Sequence, residues 1–316
     1  MTVHVVGNVC IDTTFQLPRF PRPGETLNAS GVSDGLGGKG ANQAVAASRT
    51  GANLKLWTAV GRDETARRIV EMLAAEGLDV SGLARLSEAS DRSSIFVDAA
   101  GENVIVSAVP CAIAFDPRVD TDLDGEIAAG DVVVMQGNLG PSVTRNCLAF
   151  ARSRGATTVV NASPLPEGGG MDLDDIDVLI VNAVEANLLT GCDTPQNGAR
   201  ALLGRGPRHV LLTLGADGAI VAEAGQTDFV RILAPAVVVV DTSGAGDVLC
   251  GVVAGLIALG ENVEGAARIA ARAASLAVTR PGTLASCPSA AEIAALRTAM
   301  AGHFPTANTA VLRATN

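Results

Sequence analysis

The chain has 316 residues, 48% of them hydrophobic and 35 of them Gly, a length and composition that predict one large α/β domain, or one domain with an appendage. Its 33 acidic and 23 basic side chains give a formal net charge of −10, which argues against a nucleic-acid or anionic-membrane surface, though not against a phosphorylated ligand held in one local site.

Residues 4–6 read as a short strand ending at Gly7, with Asp12 five residues on, a usual opening for a doubly wound sheet. Residues 13–34, with Pro18, Pro21, Pro23 and Gly24, fit no helical period and read as exposed β-structure projecting from the body. Gly35-Leu36-Gly37-Gly38-Lys39-Gly40-Ala41-Asn42-Gln43 then runs into an Ala-rich helix over 41–49. Glycines at 37, 38 and 40 would let a ligand approach the backbone, and Lys39 and Asn42 would hydrogen-bond hydroxyls or phosphate. A flexible turn before a helix is the plainer alternative. The segment is not a Walker A loop, because no Gly stands five residues before Gly38 and neither Ser nor Thr follows Lys39.

A strand is expected at 54–60 and an amphipathic helix at 64–76, with Ile69, Met72 and Leu73 inward. Residues 93–98 and 103–108 alternate around Ala100-Gly101 and read as a hairpin beside the first β-patch. Beyond it, strands at 132–136, 158–161, 178–182 and 210–214 alternate with helices at 142–154, 185–189, 199–203, 245–259, 263–279 and 290–301. Continuous apolar strands between helices imply a mostly parallel sheet covered on both faces, with ligands at the carboxyl ends where Gly137, Asn161, Asn182, Gly215 and Asp241 fall. The tail, 304–316, has no pattern and is expected to fray.

The stretch around which the rest is organised is Asp241-Thr242-Ser243-Gly244-Ala245-Gly246-Asp247. The apolar run 236–240 before it reads as a buried strand, and 248–259 after it as a small-residue helix. The glycine-rich turn would point backbone N–H groups at whatever lies above the helix start, where the dipole favours an anion. Asp247 adds a carboxylate at the same place. That pairing suits a base that deprotonates a hydroxyl attacking a phosphoryl group held by the turn. A plain strand-to-helix turn, with Asp247 completing a local cap, is the alternative.

Six cysteines (Cys10, Cys111, Cys147, Cys192, Cys250, Cys287) form no C-x-x-C pair, and no signal-like N-terminus is seen, so reduced thiols in a cytoplasmic protein are expected. His4, His209 and His303 lack metal-ligand spacing, and no apolar run nears the roughly 20 residues of a membrane span. Neither a nucleic acid nor a membrane is an expected partner.

With both glycine motifs in hand, the chain resembles the ribokinase branch of the PfkB carbohydrate kinases. Gly37 to Ala44 and Asp241 to Asp247 carry the likeness. Asn182-Ala183-Val184-Glu185 matches the family's N-x-x-E motif, Thr213-Leu214-Gly215 with Gly218 its nucleotide loop, and Ala277-Val278-Thr279-Arg280 with Gly282 its C-terminal ATP-side segment. The resemblance implies a ribokinase-like doubly wound α/β fold: core 1–12, 35–91 and 111–302, a β lid of 13–34 and 92–110, and a tail of 303–316. It implies transfer of the ATP γ-phosphoryl to a primary hydroxyl of a small sugar, with Asp247 as base and the N–H groups of Gly244, Ala245 and Gly246 as anion hole.

Asn182, Thr213, Gly215, Gly218 and Gly246 would meet the nucleotide, and Glu185 and Asn182 would act through Mg²⁺ and its waters. An ordinary helix N-cap with an early-turn acid is the other reading of that pair. Asp12, Gly38, Lys39 and Asn42 would bind sugar hydroxyls beneath the lid. Asp241, Ser243, Ala277, Arg280, Gly282 and Ser286 would hold a monovalent cation such as K⁺, and lid pairing would give a homodimer. Two positions depart from the ribose pattern: Cys10 stands where an Asn is usual, and Asn138 or a neighbour where a Glu is usual. An unpaired polar group in a sugar pocket rejects a ligand strongly, so another pentose, a deoxy-sugar, a ketose, a polyol or a nucleoside is an alternative acceptor. With 7 Phe, 1 Trp and no Tyr, a base-stacking nucleoside is the less favoured of these. A non-catalytic sugar-binding regulator is a reading from another class. A dinucleotide-dependent dehydrogenase is disfavoured, since Gly7 to Asp12 lacks G-x-G-x-x-G.

Overall fold

Strand β1 (Thr2–Val6) is buried over its last four residues, as a strand covered on both faces must be. The structure, a computed structural model, describes residues 1–166 and 168–300 and the backbone of 301, 311 and 312. From β1 the chain enters a small sheet through β2 (Cys10–Gln16) and β3 (Gly31–Gly37), then returns with α1 (Lys39–Ser48), β4 (Asn53–Val60), α2 (Glu64–Ala75) and β5 (Leu83–Arg85). The expected hairpin is β6 (Arg92–Val97) with β7 (Asn103–Ala108). Because β6 lies parallel to β2, the small sheet runs β3-β2-β6-β7, and both non-helical patches form one lid.

Three short helices that no periodicity announced follow: α3 (Pro110–Ala114), α4 (Pro117–Asp120) and α5 (Leu123–Glu126). The alternating part then comprises β8 (Val132–Gln136), α6 (Pro141–Ser153), β9 (Thr157–Asn161), β10 (Val178–Asn182), α7 (Ala183–Thr190), α8 (Pro195–Leu203) and β11 (His209–Thr213). Two further strands, β12 (Ala219–Glu223) and β13 (Phe229–Ile232), precede α9 (Ala245–Ala258), α10 (Val263–Ala277), α11 (Ala290–Ala301) and the two-residue β14 (Val311–Leu312). The main sheet runs β14-β13-β12-β11-β10-β9-β8-β1-β4-β5. From β11 to β5 every pairing is parallel, whereas β12, β13 and β14 extend one edge antiparallel. Successive strand residues feed opposite layers. Val132 and Val134 join the layer under α1, α2, α9 and α10, while Val133 and Met135 face α6, α7 and α8.

The run 236–240 is not the buried strand its apolar sequence suggests. It carries no ladder; the N–H groups of Val240 and Asp241 both go to the carbonyl of Val278 (2.8 and 3.2 Å). Val238 is 83% exposed, and Val239 and Val240 are also exposed. Among the described residues no strand of the main sheet lies beside the run to accept its backbone, so apolar composition alone did not make it a strand. Apart from 311 and 312, the tail expected to fray lies outside the described residues. Among the described residues no helix is long and apolar enough to cross a membrane.

α1 and α9 meet closely because α9 presents Gly251 and Gly255 to α1. A Cβ at Gly251 would lie 2.3 Å from the Gln43 carbonyl oxygen, and one at Gly255 2.3 Å from Thr50 Oγ1. This contact joins the two glycine-rich turns.

Candidate active site

Asp247 lies in the first turn of α9 and is 6% exposed. Gly244 caps the helix at φ +76°, a left-handed conformation open to glycine, and a Cβ there would lie 2.9 Å from the Thr283 carbonyl oxygen. The N–H groups of Gly246 and Asp247 find no acceptor among the described residues. Unpaired N–H groups at the positive end of a helix dipole make an anion site. Asn42 Nδ2 donates to Asp247 Oδ2 (3.0 Å), Gln43 Nε2 donates to Oδ1 (2.9 Å), and Lys39 Nζ lies 3.8 Å from Oδ1. The structure thus gathers Lys39, Asn42, Gly244, Ala245, Gly246 and Asp247 in one place.

The glycines at the head of α1 have a different reason from the one the sequence suggested. A Cβ at Gly37 would meet the Asp12 carboxylate at 2.1 Å, and one at Gly38 or Gly40 would meet the backbone of residues 7–9 at 2.7–2.8 Å. The close approach they permit is that of the chain's own β1–β2 connection. That approach sets Asp12 beside α1.

Asp12 is half-buried on β2, where the main sheet passes into the lid. Burial pushes its carboxyl above the ordinary aspartate range, against the pull of hydrogen bonds from Cys10 and Ser93, and the charge of Asp247 adds to the rise. Cys10 Sγ donates to Asp12 Oδ1 (3.2 Å), so the thiol that replaces the usual Asn is spent inside the protein. A cleft of about 860 Å³ opens between the lid and the loops 239–243 and 281–285. Asp12, Asp34, Glu76 and Asp241 line it and, among the described residues, no Lys or Arg does, though Asp34 is paired with Arg68 and Glu76 with Arg49 from outside it. Asn138 Oδ1 and Asn42 Oδ1 are buried without a hydrogen-bond partner among the described residues. Buried orphan acceptors of this kind await a donor.

Asn182 and Glu185 form a reciprocal capping box at the head of α7, with both hydrogen bonds at 2.8 Å. This is the N-cap reading of the pair, and it leaves Glu185 Oε1 outside the box. Thr213 ends β11 in register with Asn182. Gly215 has φ +59°, and Gly218 is glycine because a Cβ there would sit 1.9 Å from the Ile232 carbonyl oxygen.

Asp241 takes the N–H of Ser243 on Oδ1 (2.8 Å) and of Gly282 on Oδ2 (2.9 Å). Burial raises its pKa, but these N–H groups outweigh it and hold the carboxyl below the usual range. Asp241, Ser243 and Gly282 are therefore together. The Ala277 carbonyl accepts from Arg280 N–H, the Arg280 guanidinium is paired with Glu292, and Ser286 Oγ donates to the Thr283 carbonyl. A carboxylate and backbone carbonyls are the hard oxygen donors that a monovalent cation accepts.

Sequence reasoning placed Asn161 at the ligand-side end of its strand but missed Gln43 and Gln136 as members of the site. The signal available was a run of buried-type positions carrying amides; Gln43 and Gln136 are both 0% exposed.

A doubly wound sheet, a β lid and a buried carboxylate at an open helix N-terminus define a phosphotransferase of the α/β class. The family model for pfkB family carbohydrate kinases matches residues 2–290. The chain is 30% identical over 297 residues to the ribokinase of Haemophilus influenzae, covering 92% of this chain and 96% of that one. It is equally 30% identical over 299 residues to the deoxyribokinase of Salmonella typhi, covering 92% and 96%. The structure of Arabidopsis thaliana ribokinase complexed with ribose and ATP matches with a TM-score of 0.82 at 27% identity, covering 93% of this chain and 98% of that one. The chain belongs to the pfkB family of carbohydrate kinases and is a ribokinase-like sugar kinase. ATP is the donor that ribokinase-family kinases use.

Proposed function

We propose that this kinase phosphorylates an uncharged small sugar on a primary hydroxyl, with Asp247 as the general base. The observation that carries this is Asp247 itself, buried, held by two amides and set at the open head of α9. The acceptor hydroxyl gives its proton to the Asp247 carboxylate, its oxygen bonds to the γ-phosphorus, and the bond to the ADP oxygen breaks. The free N–H of Gly246 offsets the charge on the transferring group without reorganising, joined by those of Gly244 and of Ala245, whose N–H now makes a long bond to the Thr242 carbonyl (3.4 Å). Of the carboxylates lining the cleft, Asp34 and Glu76 are paired with Arg68 and Arg49, which leaves Asp12 and Asp241, without a cation partner among the described residues, to disfavour a sugar that already carries a phosphate.

Asp12, Gly38, Lys39, Asn42 and Asn138 bind the acceptor in this reading, and Asn182, Thr213, Gly215 and Gly218 flank the nucleotide. Glu185 and Asn182 would hold Mg²⁺ through its waters, and the ion would neutralise phosphate charge. The Asp241–Ser243–Gly282 cluster, with carbonyls of Ala277 and Arg280 and with Ser286, would hold K⁺, whose positive charge would support the adjoining anion hole. Core and lid divide near residues 12, 35, 92 and 110, and two lids pair in a homodimer. Cys10, already bonded to Asp12, offers the sugar nothing, which supports an acceptor other than ribose, such as a deoxy-sugar.

ATP consumption with Mg²⁺ and K⁺ against ribose, deoxyribose, a ketohexose, a tetritol, a nucleoside and ribose 5-phosphate tests the reading. One uncharged acceptor should dominate in kcat/KM. Turnover confined to the phosphorylated sugar, or sugar binding with no turnover, would overturn it.

A further inference from the structure

Gln43 sits one position after Asn42 on α1 and is fully buried. Its side-chain amide has two N–H donors and one oxygen with two lone pairs. Nε2 donates to Asp247 Oδ1 (2.9 Å) and to Asn161 Oδ1 (3.3 Å). Oε1 accepts from Gln136 Nε2 (2.9 Å) and from Cys250 Sγ (3.4 Å). All four capacities are used, by groups from α9, β8 and β9.

The polarity of that amide is thereby set. A flipped amide would turn Oε1 toward two acceptor oxygens, those of Asp247 and Asn161, and its NH₂ toward the NH₂ of Gln136 and the thiol of Cys250. Gln136 Oε1 has no partner among the described residues and occupies the space where a Cβ at Gly7 would lie, 2.0 Å away, so Gly7 must be glycine for Gln136 to reach Gln43. Cys250 stays a thiol donor, because burial, then the neighbouring Asp247, pushes its pKa far up.

We infer that Gln43 is a positioning residue for the base: it aims an N–H at Asp247 Oδ1 and locks the carboxylate's rotamer, oriented from behind by Gln136 and Cys250. This rests on the reading of Asp247 as base. Gln43 does not touch the acceptor; it acts through Asp247. With all four hydrogen-bonding capacities of Gln43 used, its amide specifies one geometry for the carboxylate it meets, and a catalytic group displaced by about 1 Å loses up to roughly 100-fold in rate.

The test is steady-state phosphoryl transfer with the best acceptor of the panel, for wild type, Asp247→Asn, Gln43→Leu and Gln43→Glu, with melting temperatures for each. Gln43→Leu should lower kcat by roughly 10- to 100-fold while the acceptor KM changes by less than about twofold. Gln43→Glu keeps the shape but puts a carboxylate against Asp247, with Asp12 and Lys39 the other charged groups nearby. Two such carboxylates share a proton, so the acid limb of the kcat/KM profile should move to higher pH. If Gln43→Leu does not fold, this isosteric variant decides. Wild-type kcat in folded Gln43→Leu, or an unmoved acid limb in Gln43→Glu, overturns the inference while active wild type and inactive Asp247→Asn leave the kinase mechanism standing. Undiminished activity in Asp247→Asn overturns both.

Discussion

Replacing Gly251 with Ala tests whether the α1–α9 contact holds the base and the sugar-side residues in one geometry. The added Cβ would lie 2.3 Å from the Gln43 carbonyl oxygen and 2.7 Å from Ala46 Cβ. The first distance is about 1 Å inside ordinary van der Waals contact, and the obstacle is backbone, so the helices must part by about that much. The bonds from Asn42 and Gln43 to Asp247, now 3.0 and 2.9 Å, then stretch beyond hydrogen-bonding range. Overpacking of this kind costs about 1–3 kcal/mol of stability, and a misplacement of about 1 Å costs roughly 100-fold in kcat. Gly255→Ala is the control. Its Cβ would meet chiefly the Thr50 side chain, at 2.3 Å, and the Ala47 carbonyl oxygen only at 3.0 Å, one turn farther from the base. Kinetics of both variants, with denaturant melts, separate the effects. The expected result is a large kcat loss in Gly251→Ala and mainly a stability loss in Gly255→Ala. Equal kcat in the two would refute the claim that this contact sets the site.

Three other outcomes follow from single groups. His4 accepts the Trp57 indole N–H on Nδ1 (3.0 Å) and faces Asp131 through Nε2 (3.3 Å). Burial lowers its pKa despite the upward pull of Asp131 and Glu126, and Lys55 lowers it further. The unfolded chain therefore takes up a proton below about pH 6.5 that the folded one refuses, and stability falls on acidification; denaturation followed by the fluorescence of Trp57, the only tryptophan, should show this slope reduced in His4→Gln. Asp12→Asn should raise the acceptor KM by roughly 10- to 100-fold, the worth of a hydrogen bond to a charged group, and leave the ATP KM unchanged. Because the Asp12 carboxyl protonates above the ordinary range, the wild-type acceptor KM should climb on acidification before an ordinary aspartate would titrate, and the Asn variant should lose that dependence. Glu185→Gln keeps an acceptor for the capping box, so its stability should hold within about 0.5 kcal/mol while its Mg²⁺ requirement rises. Asn182→Ala should instead cost about 1 kcal/mol of stability, read from the same melts.

Where periodicity was strong, the sequence was a good guide. The parallel strands ending at Gln136, Asn161 and Asn182 were read from continuous apolar runs, because only strands covered on both faces have them. The antiparallel extension by β12 and β13 was not read, since Gly215 and Gly218 looked like a nucleotide loop and hid a turn. The valines at 237–240 misled for the opposite reason: composition says nothing about whether a partner strand exists. The short helices between Pro110 and Glu126 are too brief for any period to show. In the site, Asp247 and Lys39 stood out because charge beside glycine is conspicuous. Gln43 did not, since its role depends on amides and a thiol brought from three other elements, which sequence order scatters over 200 positions.

The most direct measurement on the central claim is phosphoryl transfer by Asp247→Asn, with acceptor binding measured in parallel by calorimetry. Asn is nearly isosteric and keeps one oxygen for an amide donor but cannot take the hydroxyl proton. The account predicts a kcat lower by roughly 10²- to 10⁴-fold, the usual worth of a general base, with acceptor affinity within about threefold of wild type. A kcat within tenfold of wild type would contradict it and place the base elsewhere.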